Sequence, residues 1–161
     1  MSIVIVGIGV PGSGKTTFLK RLAEERRLTY INKDDIRAEL LGDVNDQSRN
    51  RDVWIESERR TNEALKANRD VVLDATYAER WKRVELIESL RAHGAHKVFA
   101  AYFDIPFEQA SAQNEGREYV VGERDMAWFR EQLEKEPPSE EEGFDAVYGF
   151  ASLNDLEEAL G

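Results

Sequence analysis

A chain of 161 residues and 18.4 kDa, with 41% hydrophobic and 34% charged residues, has the size and composition of one soluble unit around a single core. Cysteine is absent, which excludes disulfides, thiolate metal sites and cysteine nucleophiles. The formal net charge of −10 and a pI near 4.8 argue against long-tract nucleic-acid binding, which depends on neutralising many phosphates with Lys and Arg, although a local basic channel is still compatible with them.

The apolar run Ser2–Ile8 has no basic lead-in and passes directly into a glycine-rich loop, so it reads as a buried first strand rather than a secretion signal. Gly9-Val10-Pro11-Gly12-Ser13-Gly14-Lys15-Thr16 fills the pattern G-x-x-x-x-G-K-[ST], and a helix is predicted from Lys15 to about Arg26. In that setting glycines let the backbone wrap around phosphate with its N–H groups pointing inward, and the helix adds its positive N-terminal dipole. Lys15 would reach the terminal phosphates and the Thr16 hydroxyl would ligand Mg²⁺. The predicted nucleotide-binding set is Gly9, Pro11, Gly12, Ser13, Gly14, Lys15, Thr16 and Thr17, with ATP and Mg²⁺ as cofactors.

A second strand is predicted at Leu28–Asn32 and a short helix at Asp34–Leu41. Asn32-Lys33-Asp34-Asp35 spells the N-K-x-D of guanine recognition, but it stands beside the phosphate loop instead of late in the chain, a position better suited to catalysis. Asp34 falls at the carboxyl end of a strand, where ligands bind in open α/β sheets, and Arg37 shares its helical face. Two readings stand side by side: a base with a phosphate-holding arginine, or a helix N-cap with a surface partner.

Beyond the polar loop Gly42–Arg49, a long helix at about Arg51–Asn68 leads to the strand Val71–Ala75. Its Asp74 has the form of a carboxylate acting on Mg²⁺ or its waters, though many strands end in Asp for turn reasons alone. Glu79–Ala92 reads as a helix stopped at Gly94, with His93 and His96 as surface residues rather than a zinc pair. A strongly apolar strand at Lys97–Ile105 precedes a helix begun by Pro106. The Gly- and charge-rich segment from about Gln113 to Arg124 is predicted to be a mobile lid, in which Arg117 and Arg124 are either transition-state clamps or solvated surface. A helix over Asp125–Glu134 is stopped by Pro137-Pro138, and an edge strand at Ala146–Phe150 and a terminal helix at Leu153–Leu160 close the chain. Trp54, Trp81 and Trp128 are read as packing residues and Glu140–Glu142 as solvated surface. No apolar run approaches membrane-spanning length, and a cytoplasmic location is expected.

Short β-branched runs alternating with longer amphipathic stretches predict an α/β P-loop NTPase fold: one domain over residues 1–161, a parallel sheet with helices on both faces, and a lid at about 113–124. Five blocks give this a sharper resemblance: Gly9–Thr17, Ile31-Asn32-Lys33-Asp34-Asp35-Ile36-Arg37, Val72-Leu73-Asp74-Ala75-Thr76, Gln113-Asn114-Glu115-Gly116-Arg117 and Glu142-Gly143-Phe144-Asp145. In order and spacing they resemble the polynucleotide 5′-hydroxyl kinase family of P-loop phosphotransferases, including the kinase modules of phage and animal end-healing enzymes. The resemblance runs from the first strand to about Tyr148.

It implies that Asp34 is the general base on the acceptor hydroxyl, that Arg37 binds phosphate on the acceptor side, that Asp74 positions acceptor or metal, and that Arg117 clamps the transferring phosphate. The chain departs from the family at Tyr77, where relatives often carry Asn, and at Gln113, where relatives carry a further lid arginine. The leading expectation is therefore ATP-dependent transfer of the γ-phosphate to a hydroxyl, with a short single-stranded 5′ end of DNA or RNA as acceptor. The alternative is a kinase of a small hydroxylated metabolite or a hydroxymethylated DNA base, favoured by the acidic charge. A nucleotide-dependent switch ranks below both, because no late guanine motif or switch pattern is present.

Overall fold

Alternation along the first strand decides how the sheet is covered. In the computed structural model, which describes residues 1–117 and 120–161, β1 (Ser2–Ile8) sends Val4, Val6 and Ile8 into one apolar cluster and Ile5 into another. Successive side chains of a strand point to opposite faces, so both faces of this strand need a cover. After β1 the chain runs through α1 (Lys15–Arg26), β2 (Thr29–Asn32), α2 (Lys33–Leu41), α3 (Asn50–Lys66), β3 (Val71–Asp74), α4 (Arg80–Ala92) and β4 (Ala95–Tyr102). It continues with α5 (Phe107–Glu115), α6 (Glu123–Lys135), β5 (Ala146–Gly149) and α7 (Leu153–Ala159). One face is covered by Leu19 and Leu22 of α1 with Leu153 and Leu156 of α7; the other by Ile36, Val53, Leu65, Ile87, Leu90, Met126 and Leu133 from α2, α3, α4 and α6.

The five strands are parallel in the order β2-β3-β1-β4-β5, the α/β P-loop architecture predicted from the sequence. Register places the chemistry: Gly7 pairs with Asp74, and Asp74 with Asn32, so the carboxyl ends of β1, β3 and β2 stand side by side. The crossover that leaves β1 runs to β2 on one side of it and the one that leaves β3 runs to β4 on the other, and ligands bind at such a switch point.

Several boundaries differ from expectation. Strand β4 begins at Ala95 and ends at Tyr102, after which the Phe103 amide still donates to the Ile8 carbonyl (2.8 Å). Pro106 is the residue before α5 rather than its first helical residue. Helix α6 starts at Glu123, with Glu123 and Asp125 complementing the dipole of its first turn. The segment predicted as a lid is thus partly helical at both ends; Glu118 and Tyr119 within it lie outside the described residues. Among the described residues no helix is long and apolar enough to cross a membrane.

Candidate active site

The loop between β1 and α1 holds its shape through positions a side chain cannot occupy. Gly12 and Gly14 take φ of 86° and 90°, the left-handed region that favours glycine. A Cβ on Gly12 would also lie 2.3 Å from the Ala110 carbonyl oxygen and 2.7 Å from the Asn114 nitrogen, so α5 packs directly on the loop. Gln113, at the position where the resemblance leads one to look for an arginine, donates instead to the Gly12 carbonyl. Gly9 donates to the Thr76 carbonyl (3.3 Å), which ties the loop to the end of β3. Pro11, Ser13 and Lys15 are buried, Thr16 is half-buried at the start of α1, and Thr17 is exposed.

Asp74, buried at the end of β3, collects the donors around it. The Thr16 hydroxyl donates to its Oδ2 at 2.8 Å, Asn32 Nδ2 at 3.1 Å and the Tyr30 hydroxyl at 2.5 Å, while Lys15 Nζ stands 4.0 Å from Oδ1. Burial pushes the Lys15 pKa down, against the pull of the Asp74 carboxylate; the Arg117 charge lowers it further and that of Asp34 raises it. Burial, then the Asp74 charge and hydrogen bond, push the Tyr30 phenol well up, so it stays a donor. Thr16 and Asp74, both assigned to Mg²⁺ from the sequence, are therefore together, and they are joined by Tyr30, which the sequence reading did not single out, and by Asn32, which it named only within the N-K-x-D run.

Asn32 also bears on the helix-cap reading of Asp34. Its Oδ1 accepts from the amides of Asp34 (2.8 Å) and Asp35 (3.1 Å), so Asn32 is the N-cap of α2 and the capping reading of Asp34 is corrected. The half-exposed Asp34 carboxylate instead accepts from Arg37 Nη1 at 2.8 Å. Arg37 makes one further bond, to Asn50 Oδ1 at 3.1 Å, and its buried Nε has no partner among the described residues. The same holds for the buried Ser13 Oγ in the loop and Nη1 of Arg117. Arg124, by contrast, is exposed on α6. Asn114 clasps both polar groups of Val121 (2.7 and 3.0 Å), closing the base of the segment that carries Arg117.

Helices α3 and α4 part to leave a cleft of about 540 Å³ lined by Lys33, Trp54, Tyr77, Trp81, Lys82 and Glu85, with Leu73 among its further lining residues. Trp81 is 59% exposed and Trp128 on α6 42%, so neither is the packing residue its helical position suggested. Behind the cleft, Arg83 is completely buried and bidentate with Glu142, and donates to the carbonyls of Tyr77 (2.9 Å), Ala78 (3.1 Å) and Glu136 (2.6 Å). Glu142 is thus an interior anchor and not solvated surface. A buried ion pair was not readable from a run of three glutamates.

A model of the AAA domain family matches residues 4–136. The chain belongs to that family. Among solved structures, the chain is similar to a chain of the Pnkp1/Rnl/Hen1 RNA repair complex, at 20% identity and a TM-score of 0.74, covering 83% of this chain and 44% of that one. The chain therefore spans less than half the length of that protein. It is also similar to a sugar kinase from Janibacter sp., at 21% identity and a TM-score of 0.61 over 99% of this chain and 91% of that one. Shikimate kinase from Acinetobacter baumannii is a further match, at 18% identity and a TM-score of 0.61 over 99% and 92%. At such identities the likeness is one of fold, and it spans several kinase groups rather than singling out the polynucleotide 5′-kinases.

Proposed function

We propose that this chain is an ATP-dependent phosphotransferase, one kinase unit over residues 1–161, whose acceptor is the hydroxyl of a small molecule. One observation carries the reading: of the five buried side-chain atoms without a partner among the described residues, three belong to this region, Ser13 Oγ in the phosphate loop, Nε of Arg37, the partner of Asp34, and Nη1 of Arg117, whose charge acts on Lys15; the other two are Ser2 Oγ and Ser139 Oγ. Unpartnered buried donors are costly, and polyphosphate oxygens are acceptors that would satisfy them.

The loop amides and Lys15 would hold the triphosphate of ATP against the start of α1. Thr16 and Asp74 offer hard oxygen donors 2.8 Å apart, a pair that fits Mg²⁺; the ion would supply neutralisation of charge on the terminal phosphates. Asp34 would take the proton of the acceptor hydroxyl as its oxygen bonds to the γ-phosphorus and the bond to the ADP oxygen breaks. Arg37 and Arg117 would spread their charge over the transferring group. Replacing Asp34 with Asn keeps the shape and removes the base: transfer should fall by about 10²–10⁴ while ATP affinity holds. Near-normal turnover in that variant would remove Asp34 from the role.

The second reading, transfer to a short 5′-hydroxyl end of DNA or RNA, is supported by the five sequence blocks and by the RNA-repair neighbour. Labelled γ-phosphate offered with 5′-hydroxyl oligonucleotides, modified-base DNA, nucleosides and small alcohols separates the two, and acceptor-independent hydrolysis alone would point to a switch.

A further inference from the structure

The cleft between α3 and α4 has the properties of a ligand pocket in its own right. Its volume of about 540 Å³ falls in the range of small-molecule sites, and its walls combine aromatic faces with a few polar groups. Lys33 enters it from the first turn of α2, immediately before Asp34, and its ammonium lies 3.9 Å from the centre of the Trp54 ring and 4.6 Å from that of Tyr77. No carboxylate pairs with Lys33 among the described residues. The other lysine of the cleft, Lys82, is held by Glu79 at 3.1 Å. Tyr77 takes a left-handed φ of 46°, with its carbonyl fixed by Arg83, so its ring is placed on the cleft by the backbone behind it.

We propose that this cleft binds the body of the acceptor, a compact ring-bearing alcohol that also carries an anionic group, carboxylate or phosphate ester, paired with Lys33. The inference rests on the kinase reading above and names the class of acceptor for it. Three features select that class. The aromatic walls, Trp54, Tyr77 and the exposed Trp81, offer flat faces to a ring and little to an extended strand. The cation has two aromatic neighbours but no carboxylate in ion-pair contact among the described residues, a contact that an acidic ligand group would supply. Lys33 and Asp34 are consecutive in the first turn of α2, so the cleft that Lys33 lines and the carboxylate read as the base share one helix start.

The electrostatics agree. Burial, then the charges of Lys82 and Arg37, bring Lys33 down to about 7, against the pull of Asp34. Glu58 on α3 and Glu85 on α4 also line the cleft but are exposed, and the Tyr77 phenol is pushed up by burial and then by the Asp74 charge, so it is neutral. A bound anion would therefore draw a proton onto Lys33, and near pH 8 binding should be accompanied by proton uptake from the buffer.

The test is binding, read separately from transfer. In a Trp128→Phe background only Trp54 and Trp81 report by fluorescence, and two matched pairs serve as probes: 4-(hydroxymethyl)benzoate against benzyl alcohol, and a nucleoside 3′-monophosphate against its nucleoside. In at least one pair the anionic member should bind roughly 10-fold or more tightly at pH 6.5, and which pair responds tells carboxylate from phosphate. Lys33→Met should abolish the preference and Lys33→Arg keep it. Trp81→Ala, a change at an exposed position, should weaken the preferred probe by roughly 10-fold. Equal binding within both pairs, no fluorescence change up to about 10 mM of any probe, or a preference indifferent to Lys33→Met each overturns the proposal. Anion-selective binding without transfer in any acceptor assay would overturn the kinase reading and leave the pocket standing; transfer to an acceptor whose KM ignores Lys33 and Trp81 would do the reverse.

Discussion

At the end of β3 a single carboxylate, Asp74, accepts from Thr16, Tyr30 and Asn32 and faces Lys15, all of them buried or half-buried. A few residues away along β2 and α2, Lys33 has two aromatic rings for company, no carboxylate paired with it among the described residues, and a cleft open to solvent. Both regions sit at the carboxyl edge of the same sheet, so the difference is not one of scaffold. A polyphosphate is the same in every nucleotide, and the side that would meet it can be built in advance from fixed hydrogen bonds. The other side leaves charge and shape to be completed by whatever enters, which is where kinases of one fold can differ.

The sharpest way to break that contrast is to strike behind the open side. Arg83 and Glu142 show no exposed side-chain surface, and Arg83 also holds the carbonyls of the Tyr77 loop and of the end of α6. Arg83→Met should cost about 3–5 kcal/mol, because it strands the buried carboxylate of Glu142. That corresponds to a Tm drop of roughly 10 °C for a chain of this size. Combining it with Glu142→Leu should recover much of the loss, since no charge is then left unpaired. A Tm unchanged within about 2 °C in the single variant would show that the cleft is not held from behind by this pair.

Next in size is the donor side. Lys15→Met removes the cation facing Asp74 and the expected phosphate; transfer should fall by about 10²–10³. Cleft fluorescence should respond to acceptor probes as in the wild type, because Lys15 does not line that space. Loss of both functions together would mean that the two sides are not separable and that the contrast drawn above is only apparent.

How much of this could be read from the sequence follows the same division. The loop was legible because its glycines are forced by backbone geometry at named positions, Gly12 and Gly14. The strands were legible because both-face burial leaves continuous apolar runs such as Val71-Val72-Leu73. Thr16 and Asp74 were each assigned to Mg²⁺, the one from the loop motif and the other from its place at a strand end, and a hydrogen bond joins them. Tyr30 was invisible, since its hydroxyl reaches Asp74 only through the β2–β3 register. Asn32 was mistaken in its part: standing two residues before Asp34, it caps the helix, and Asp34 does not. Trp54 and Trp81 lie on amphipathic helices, but helical periodicity cannot say whether two neighbouring helices close on each other or part. Arg83 and Glu142 are 59 residues apart, and nothing local in either segment marks them as partners.

The smallest expected effect tests the open side through Lys33 alone. In the folded chain its pKa stands at about 7 against an ordinary 10.5. Between those values the unfolded chain binds more protons than the folded one, so this residue makes stability rise with pH across that window, and its penalty is fully present below about 7. Lys33→Met keeps an unbranched chain and a favourable contact with the Trp54 and Tyr77 rings while removing the charge. The variant should therefore melt a few degrees above the wild type at pH 6, by about 2–6 °C, with the gap closing as pH approaches 10. A saturating anionic acceptor should shrink the gap at pH 6 by stabilising only the wild type, because the ligand restores the counter-charge that the fold omits. If the two proteins melt in parallel across the whole range, Lys33 carries no charge penalty, and the open side is no less satisfied than the Asp74 cluster beside it.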